Sequence, residues 1–100
     1  LPASYKFYQP KLDGMTRIYG GDSNQNETFA SRTTIDIVNL NAGDDLELEG
    51  DQIAYITKGE AQISDGDRKQ NVKDGDFIQT QGMKISAEKD VHMIVVRHAA

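Results

Sequence analysis

Two histidines and two glutamines are the side chains best suited here to proton transfer or polar ligand binding. His92 and His98 both lie near the end of the chain. An imidazole titrates near neutral pH, so His92 is a candidate general base or ligand contact. Six positions apart on one strand, the two rings would be about 20 Å apart and could not share a metal ion. Gln52 and Gln79 stand within strand-like segments and are candidates for hydrogen bonds to a ligand.

Several other chemistries are excluded by residue type. The chain contains no cysteine, so it has no disulfide, thiolate metal site or cysteine nucleophile, and this favours the cytoplasm. It contains no nucleophile elbow, phosphate-binding loop or dinucleotide fingerprint. Acidic residues between 44 and 51 lack the central glycine and terminal glutamate of a calcium-binding loop, so we interpret them as a solvated face. We assign no catalytic residue.

The composition indicates one soluble globular domain. The 100 residues are 37% hydrophobic and 27% charged, which is enough for one modest core. A net charge of −5 with scattered basic residues argues against a nucleic-acid partner. No apolar run approaches the roughly 18 residues that a membrane span needs, so we expect no membrane partner.

Short strands separated by glycine and aspartate turns account for most of the chain. Residues 33–40 are rich in β-branched side chains and predict a strand, and residues 46–49 alternate apolar and acidic. Asp65-Gly66-Asp67 and Asp74-Gly75-Asp76 predict tight turns, because glycine reaches positive φ without strain. We expect breaks at Gly50-Asp51 and Gln81-Gly82, and a last strand over 91–97 that is apolar on both faces apart from His92. About eight strands without a helix predict an all-β sandwich or barrel.

The N-terminal region is harder to interpret. Tyr5 and Phe7 alternate with polar residues, and prolines on either side exclude a long helix. Two interpretations stay open: an edge strand lying over the core, or an arm that pairs with a second copy of the chain. Asp13-Gly14 and Gly20-Gly21-Asp22 predict turns.

The segment 41–85 resembles the cupin family, whose fold is a double-stranded β-helix or jelly-roll barrel. The matching features are the turn at Gly43, the spacing of six residues between Gln52 and Gly59, Asp65-Gly66, and the Gly75-Asp76 opening of a second motif. The resemblance implies one domain, with residues 1–32 as an arm and edge strand and residues 33–100 as a cupin-like barrel.

The metal ligands of that family do not carry over onto this chain. Its paired histidines would fall on Leu46 and Leu48 or on the acidic residues beside them, and its last histidine at about Ile85. Gln52 stands where the resemblance implies a glutamate, and a neutral amide is the weaker ligand. We therefore expect a member of the fold that uses no metal and no cofactor.

Three functions stay open at this point. The first is a metal-free binding module that holds a small molecule inside the barrel through Gln52, Gln79 and His92. The second is a metal-independent sugar isomerase, epimerase or lyase with His92 as general base and Tyr55 or Tyr19 as acid. The third is an assembly protein whose barrel is filled by its own side chains. We favour the first and third together, a binding or assembly module that is not a metalloenzyme.

A homodimer is also expected. Ile53, Tyr55 and Thr57 lie on the strand face opposite to Gln52, Ala54 and Ile56, so one strand presents apolar groups on both sides. If one side fills the barrel, a second chain or the N-terminal arm must cover the other.

Overall fold

Seven antiparallel strands form the described part of the protein. The computed structural model describes residues 7–21 and 31–98, and that part contains no helix. The strands are β1 (Gly14–Gly21), β2 (Ser31–Leu40), β3 (Asp45–Lys58), β4 (Glu60–Asp65), β5 (Arg68–Lys73), β6 (Phe77–Ala87) and β7 (Val91–His98). The predicted all-β fold is confirmed, and so are the turns at Gly66 and Gly75, which join β4 to β5 and β5 to β6.

The strands form one sheet in the order β1-β2-β7-β3-β6-β4-β5. The last strand of the sequence thus lies near the middle, between β2 and β3. In this position the inner face of β7 places Met93 and Val95 in the core, whereas Ile94 and Val96 lie half-buried on the outer face.

Two long strands carry the sheet around a corner. The register between β3 and β6 shifts between Glu49 and Gln52, where Gly50 adopts a φ of 84°. Gly82 lies opposite Glu49 on β6. We expected strand breaks at both glycines, and this is wrong: they form a β-bulge region through which pairing continues, because a bulge bends a strand without ending it.

The corner divides the sheet into two wings. The first wing comprises β1, β2, β7 and the paired segments 52–58 of β3 and 77–80 of β6. The second comprises β4, β5 and the paired segments 45–49 of β3 and 82–87 of β6.

Buried side chains from both wings form a single core, which shows that the two inner faces pack against each other. Its members are Val38, Leu40, Leu48, Ala54, Ile56, Ala61, Val72, Ile78, Met83, Ile85, Ala87, Val91, Met93 and Val95. Ile56 and Ile85 lie at its centre, with no exposed surface.

The two edges of the sheet are β1 and β5. On β5 only Val72 is buried, and the exposed Arg68, Lys69 and Lys73 protect this edge from pairing with other chains. At the other edge lies β1, which includes Gly14, Gly20 and Gly21 from the two predicted turns. The described edge strand is therefore Gly14–Gly21, whereas Tyr5, on which we based the expectation, lies outside the described residues.

Candidate functional site

The positions at which cupin metal ligands are expected form part of the core. Leu48 is 3% exposed and Ile85 is fully buried, while Leu46 packs against the core from its margin. Within residues 7–21 and 31–98, no group of three or more histidine, cysteine or acidic side chains could hold a metal ion. The interior at these positions is packed with aliphatic side chains, as the sequence predicts.

Gln52 is buried on the inner face, beside the corner. Its side-chain Nε2 donates a hydrogen bond of 2.7 Å to the carbonyl oxygen of Glu49. This bond closes the bulge of β3, so the amide has a structural role in addition to any contact with a ligand. In the register of the sheet, Gln52 lies between Thr80 on β6 and Arg97 on β7.

His92 and Gln79 are exposed, contrary to the expectation that they line the interior. Val91 and Met93 on either side of His92 are buried, so strand alternation directs the imidazole to the outer face. The prediction that His92 lies in the interior is wrong because β7 is apolar on both faces and its inner face could not be identified from its own sequence. Whether either residue contacts a ligand stays a prediction.

The structure brings Gln52 and Gln79 to one groove, and the histidine that joins them is His98. This groove has a volume of about 390 Å³ and runs along the corner past Ile53 and Val96. The Nδ1 atom of His98 lies 2.9 Å from the hydroxyl oxygen of Thr33, within hydrogen-bonding distance.

A second depression opens between the β4–β5 hairpin and β6, and we refer to it as the mouth pocket. It encloses about 260 Å³ and is lined by Ile63, Ser64, Asp65, Arg68, Lys69, Gln70, Ile78, Gln79, Thr80 and Met83. Ile63, Ile78 and Met83 give it apolar walls that are continuous with the core. The remaining residues supply hydroxyl, amide and charged groups around the rim.

The mouth pocket continues into an inward-facing polar row on the first wing. Thr34 pairs with Arg97, Arg97 with Gln52, and Gln52 with Thr80, which itself lines the pocket. The Arg97 guanidinium packs over Gly50, where a methyl group would lie 3.2 Å from its Nη2 atom. Within the described residues, Arg97 forms no ion pair with a carboxylate.

The titratable groups with shifted pKa values lie elsewhere on the surface. Hydrogen bonds from Ser86 and Lys84 lower the pKa of Asp45, and a hydrogen bond to Glu60 raises the pKa of Lys89. A hydrogen bond shared with Asp44 raises the pKa of Asp13. Asp45, Lys89 and Asp13 do not line the mouth pocket, so these shifts report surface pairs.

Sequence reasoning missed the mouth pocket because its residues, although all fall between 63 and 83, come together only through the pairing of β4 with β6. Arg68 and Gln70 lie on an edge strand that is polar at nearly every position, so they resemble ordinary surface residues. The available signal was the alternation of Ile63 and Ala61 on β4, which directs the hairpin toward the core. It could not show that β6 lies opposite.

Comparison with known proteins supports the fold. No protein-family model and no curated protein matches the chain. Among solved structures, a conserved protein of unknown function from Streptococcus pyogenes has a TM-score of 0.69 at 15% identity, over 100% of this chain and 91% of that one. A cupin superfamily protein from Desulfitobacterium hafniense has a TM-score of 0.69 at 18% identity, over 100% and 95%.

An enzyme also shares the architecture. An ectoine synthase from P. lautus is similar at a TM-score of 0.66 and 13% identity, over 84% of this chain and 62% of that one. Proteins with this architecture thus include an enzyme and a protein of unknown function, and identities this low indicate fold alone. The described residues contain no helix long and apolar enough to cross a membrane. The chain has the cupin fold, a small jelly-roll barrel, as its turn residues and its seven-stranded sheet both indicate.

Proposed function

We propose that the protein is a binding module for a small amphipathic molecule held in the mouth pocket. One observation carries the proposal: an apolar wall of Ile63, Ile78 and Met83 stands beside a rim of hydroxyl, amide and charged groups in one pocket. Ligand sites of proteins combine these features, with apolar walls for affinity and a few polar groups for orientation. The volume of about 260 Å³ suits a small metabolite.

The polar groups suggest how such a ligand would lie. Its apolar part would contact Met83 and Ile78, and its polar end would face Thr80 and Gln79 at the rim. Gln52 lies next to Thr80 across the sheet, so it supports this end of the site from behind. Of the predicted ligand-binding residues, Gln79 and Gln52 fit this arrangement and His92 does not.

The alternative, a metal-independent enzyme, loses support from the position of His92. A general base must come within hydrogen-bonding distance of the proton it removes. His92 points outward from β7, away from the mouth pocket, so it cannot reach a ligand held there. The binding proposal also includes metal independence, because aliphatic side chains occupy the expected ligand positions, and a cytoplasmic location, which the absence of cysteine favours.

Two adjacent residues of β5 provide the test. Gln70 lines the mouth pocket, whereas Asn71 points to the opposite face, and both are exposed. Amide chemical shifts of labelled protein would be followed during titration with a panel of small organic acids and sugars. We expect shifts in Ile63, Thr80 and Met83, lost in Gln70→Trp and retained in Asn71→Trp. Shifts that survive Gln70→Trp, or no shift with any compound of the panel, would contradict the proposal.

A further inference from the structure

The outer face of the first wing is apolar across four neighbouring strands. We call this set the apolar face; it consists of Ile35, Ile37, Ile53, Tyr55, Phe77, Ile94 and Val96. The register places them in two rows, because Ile35, Val96 and Ile53 are paired across the sheet, as are Ile37, Ile94, Tyr55 and Phe77. Phe77 is 72% exposed and Ile53 is 49% exposed, so water reaches the face in the single chain.

An aromatic pair forms the most prominent part of this face. The rings of Tyr55 and Phe77 stack with centroids 4.3 Å apart and planes inclined by 25°. Stacking holds both rings in place before any partner arrives, which lowers the entropy lost on binding. Rigid exposed aromatic side chains of this kind are typical anchors of protein interfaces.

The margin of the apolar face is nearly free of charge. Outer positions around it on β2, β7, β3 and β6 are occupied by Thr33, Asn39, His92, His98, Thr57 and Gln79, and the charged residues there are Asp51 at one corner and Lys58, which is paired with His92. The outer face of the second wing is different, since it exposes Asp45, Glu47, Glu49, Lys84, Lys69 and Lys73. Depletion of charged residues distinguishes the cores of protein interfaces from other surface.

The charge of the chain indicates which partner fits this face. Two copies that each carry a net charge of −5 repel each other in most orientations. On the apolar face two copies can meet without opposing carboxylates, apart from Asp51 at its edge. An identical flat, uncharged surface on both partners also satisfies the self-complementarity of a two-fold interface.

The size of the surface is of the order that a small dimer interface needs. With strands about 4.8 Å apart and same-face side chains about 6.8 Å apart, the apolar face and its margin span about 450 Å² of flat sheet. That is more than half of the roughly 800 Å² per partner of a standard interface, before the relief of the side chains is counted.

The segment before β1 extends the same surface. Asn39 Nδ2, at the margin, donates a 2.6 Å hydrogen bond to the carbonyl oxygen of Lys11, and the amide of Lys11 donates to Thr16 Oγ1 at 2.9 Å. These bonds hold Lys11 beside the margin of the apolar face, and the next residue, Leu12, is 92% exposed. Leu12 can then contact a partner on that face.

From these observations we infer that a second copy of the chain covers the apolar face in a two-fold symmetric dimer, with the Tyr55–Phe77 stack near its centre. The mouth pocket opens between the β4–β5 hairpin and β6, so its hairpin side stays free in this arrangement. The dimer therefore presents two mouth pockets to solvent.

The first test compares the solution mass of the native chain with that of variants that carry an added glutamate. Light scattering at micromolar concentration should give twice the chain mass of 11.1 kDa. Ile53→Glu should raise the dissociation constant of the dimer at least tenfold, because two buried carboxylates would face the partner. Asn71→Glu, on the outer face of the second wing, should leave the mass unchanged. A mass of 11.1 kDa for the native chain, or an undiminished dimer in Ile53→Glu, would overturn the inference.

A chemical test does not depend on how Ile53→Glu folds. Because the chain lacks cysteine, Ile53→Cys and Asn71→Cys each introduce a single thiol. The alkylation rate at position 53 should rise severalfold on dilution from millimolar to nanomolar protein, while the rate at position 71 stays constant. A rate at position 53 that is independent of concentration would indicate cover by the same chain, or none, and would refute the dimer.

Discussion

Arg17 Nε donates a hydrogen bond of 2.7 Å to Asp36 Oδ1, and the two residues are paired across β1 and β2. Asp36 is 5% exposed and lies on the inner face of β2, next to Val38. A carboxylate in this position loses much of its hydration, and the guanidinium compensates for that loss. The edge strand β1 is therefore attached to the sheet by a charged contact as well as by its backbone hydrogen bonds.

Removing one member of this pair should destabilise the fold. Arg17→Met leaves Asp36 buried without a cation, and we expect the free energy of unfolding to fall by about 2–4 kcal/mol, since the Arg17 side chain is partly exposed. Urea denaturation measures the change. Arg32→Met removes an exposed arginine from β2 and should alter stability by less than about 0.5 kcal/mol.

Replacing both members tests whether the unpaired carboxylate of Asp36 causes the loss of stability. Arg17→Met combined with Asp36→Leu removes the buried charge together with its partner, so most of the lost stability should return. A double variant as unstable as Arg17→Met alone would show that the geometry of the arginine, and not the unpaired carboxylate, is responsible.

Gly59 should tolerate no side chain. It joins β3 to β4 with a φ of 111°, and a methyl group there would lie 2.2 Å from the carbonyl oxygen of Asp90. Gly59→Ala must displace backbone, so we expect a loss of about 3–5 kcal/mol in unfolding free energy. Gly66→Ala is the control, because its φ is 60° with no atom within 4 Å of the added methyl group. It should cost about 1–2 kcal/mol from the left-handed conformation alone. Equal losses would mean that φ matters and the close approach does not.

The pKa of Asp13 should depend on Asp44. Their shared hydrogen bond raises the pKa of Asp13 above its ordinary value of 3.8, with repulsion between the carboxylates adding to the shift. Asp44→Asn removes that charge but keeps an acceptor for the amide of Asn41, so the pKa of Asp13 should fall. Carboxyl NMR titration measures it, with Asp67→Asn as the control that should leave it unchanged.

The sign of the stability effect follows from the direction of the shift. A carboxyl group whose folded-state pKa is raised stabilises the fold below its unfolded-state pKa, and this contribution is lost as the pH rises through the folded-state value. The stability of Asp44→Asn relative to the native chain should therefore improve between pH 3 and pH 6. A relative stability that does not vary over this range would contradict the assignment.

The protein should fold without a transition metal. Leu48 and Ile85 occupy two expected ligand positions in the core, and a divalent ion among aliphatic side chains would be poorly compensated. Elemental analysis of protein purified without added metal should find no stoichiometric iron, manganese, nickel or zinc, and a chelator should leave the melting temperature unchanged. A metal contributing even 1 kcal/mol would shift it by about 4–8 °C on removal. Such a shift, together with bound metal, would show that other residues form a site.

Local chemistry determined much of the fold from the sequence. The β-branched run of β2 and the Asp-Gly pairs at Gly66 and Gly75 depend on backbone preferences that act within a few residues, so they were predictable. The Gln52 to Gly59 spacing indicated the jelly roll through its resemblance to a cupin motif. The required close approach at Gly59 becomes evident only when Asp90 is seen beside it.

Tertiary structure alone decided which side of each strand is inside. A period of two assigns residues to two faces but does not say which face meets the core, and on β7 both faces are apolar, so His92 was assigned to the wrong one. Gly50 and Gly82 look like strand ends locally, and only the pairing of β3 with β6 on both sides of the bulge shows that the strands continue. The mouth pocket likewise exists only because the corner brings the β4–β5 hairpin to Thr80 and Met83, residues that no local pattern connects.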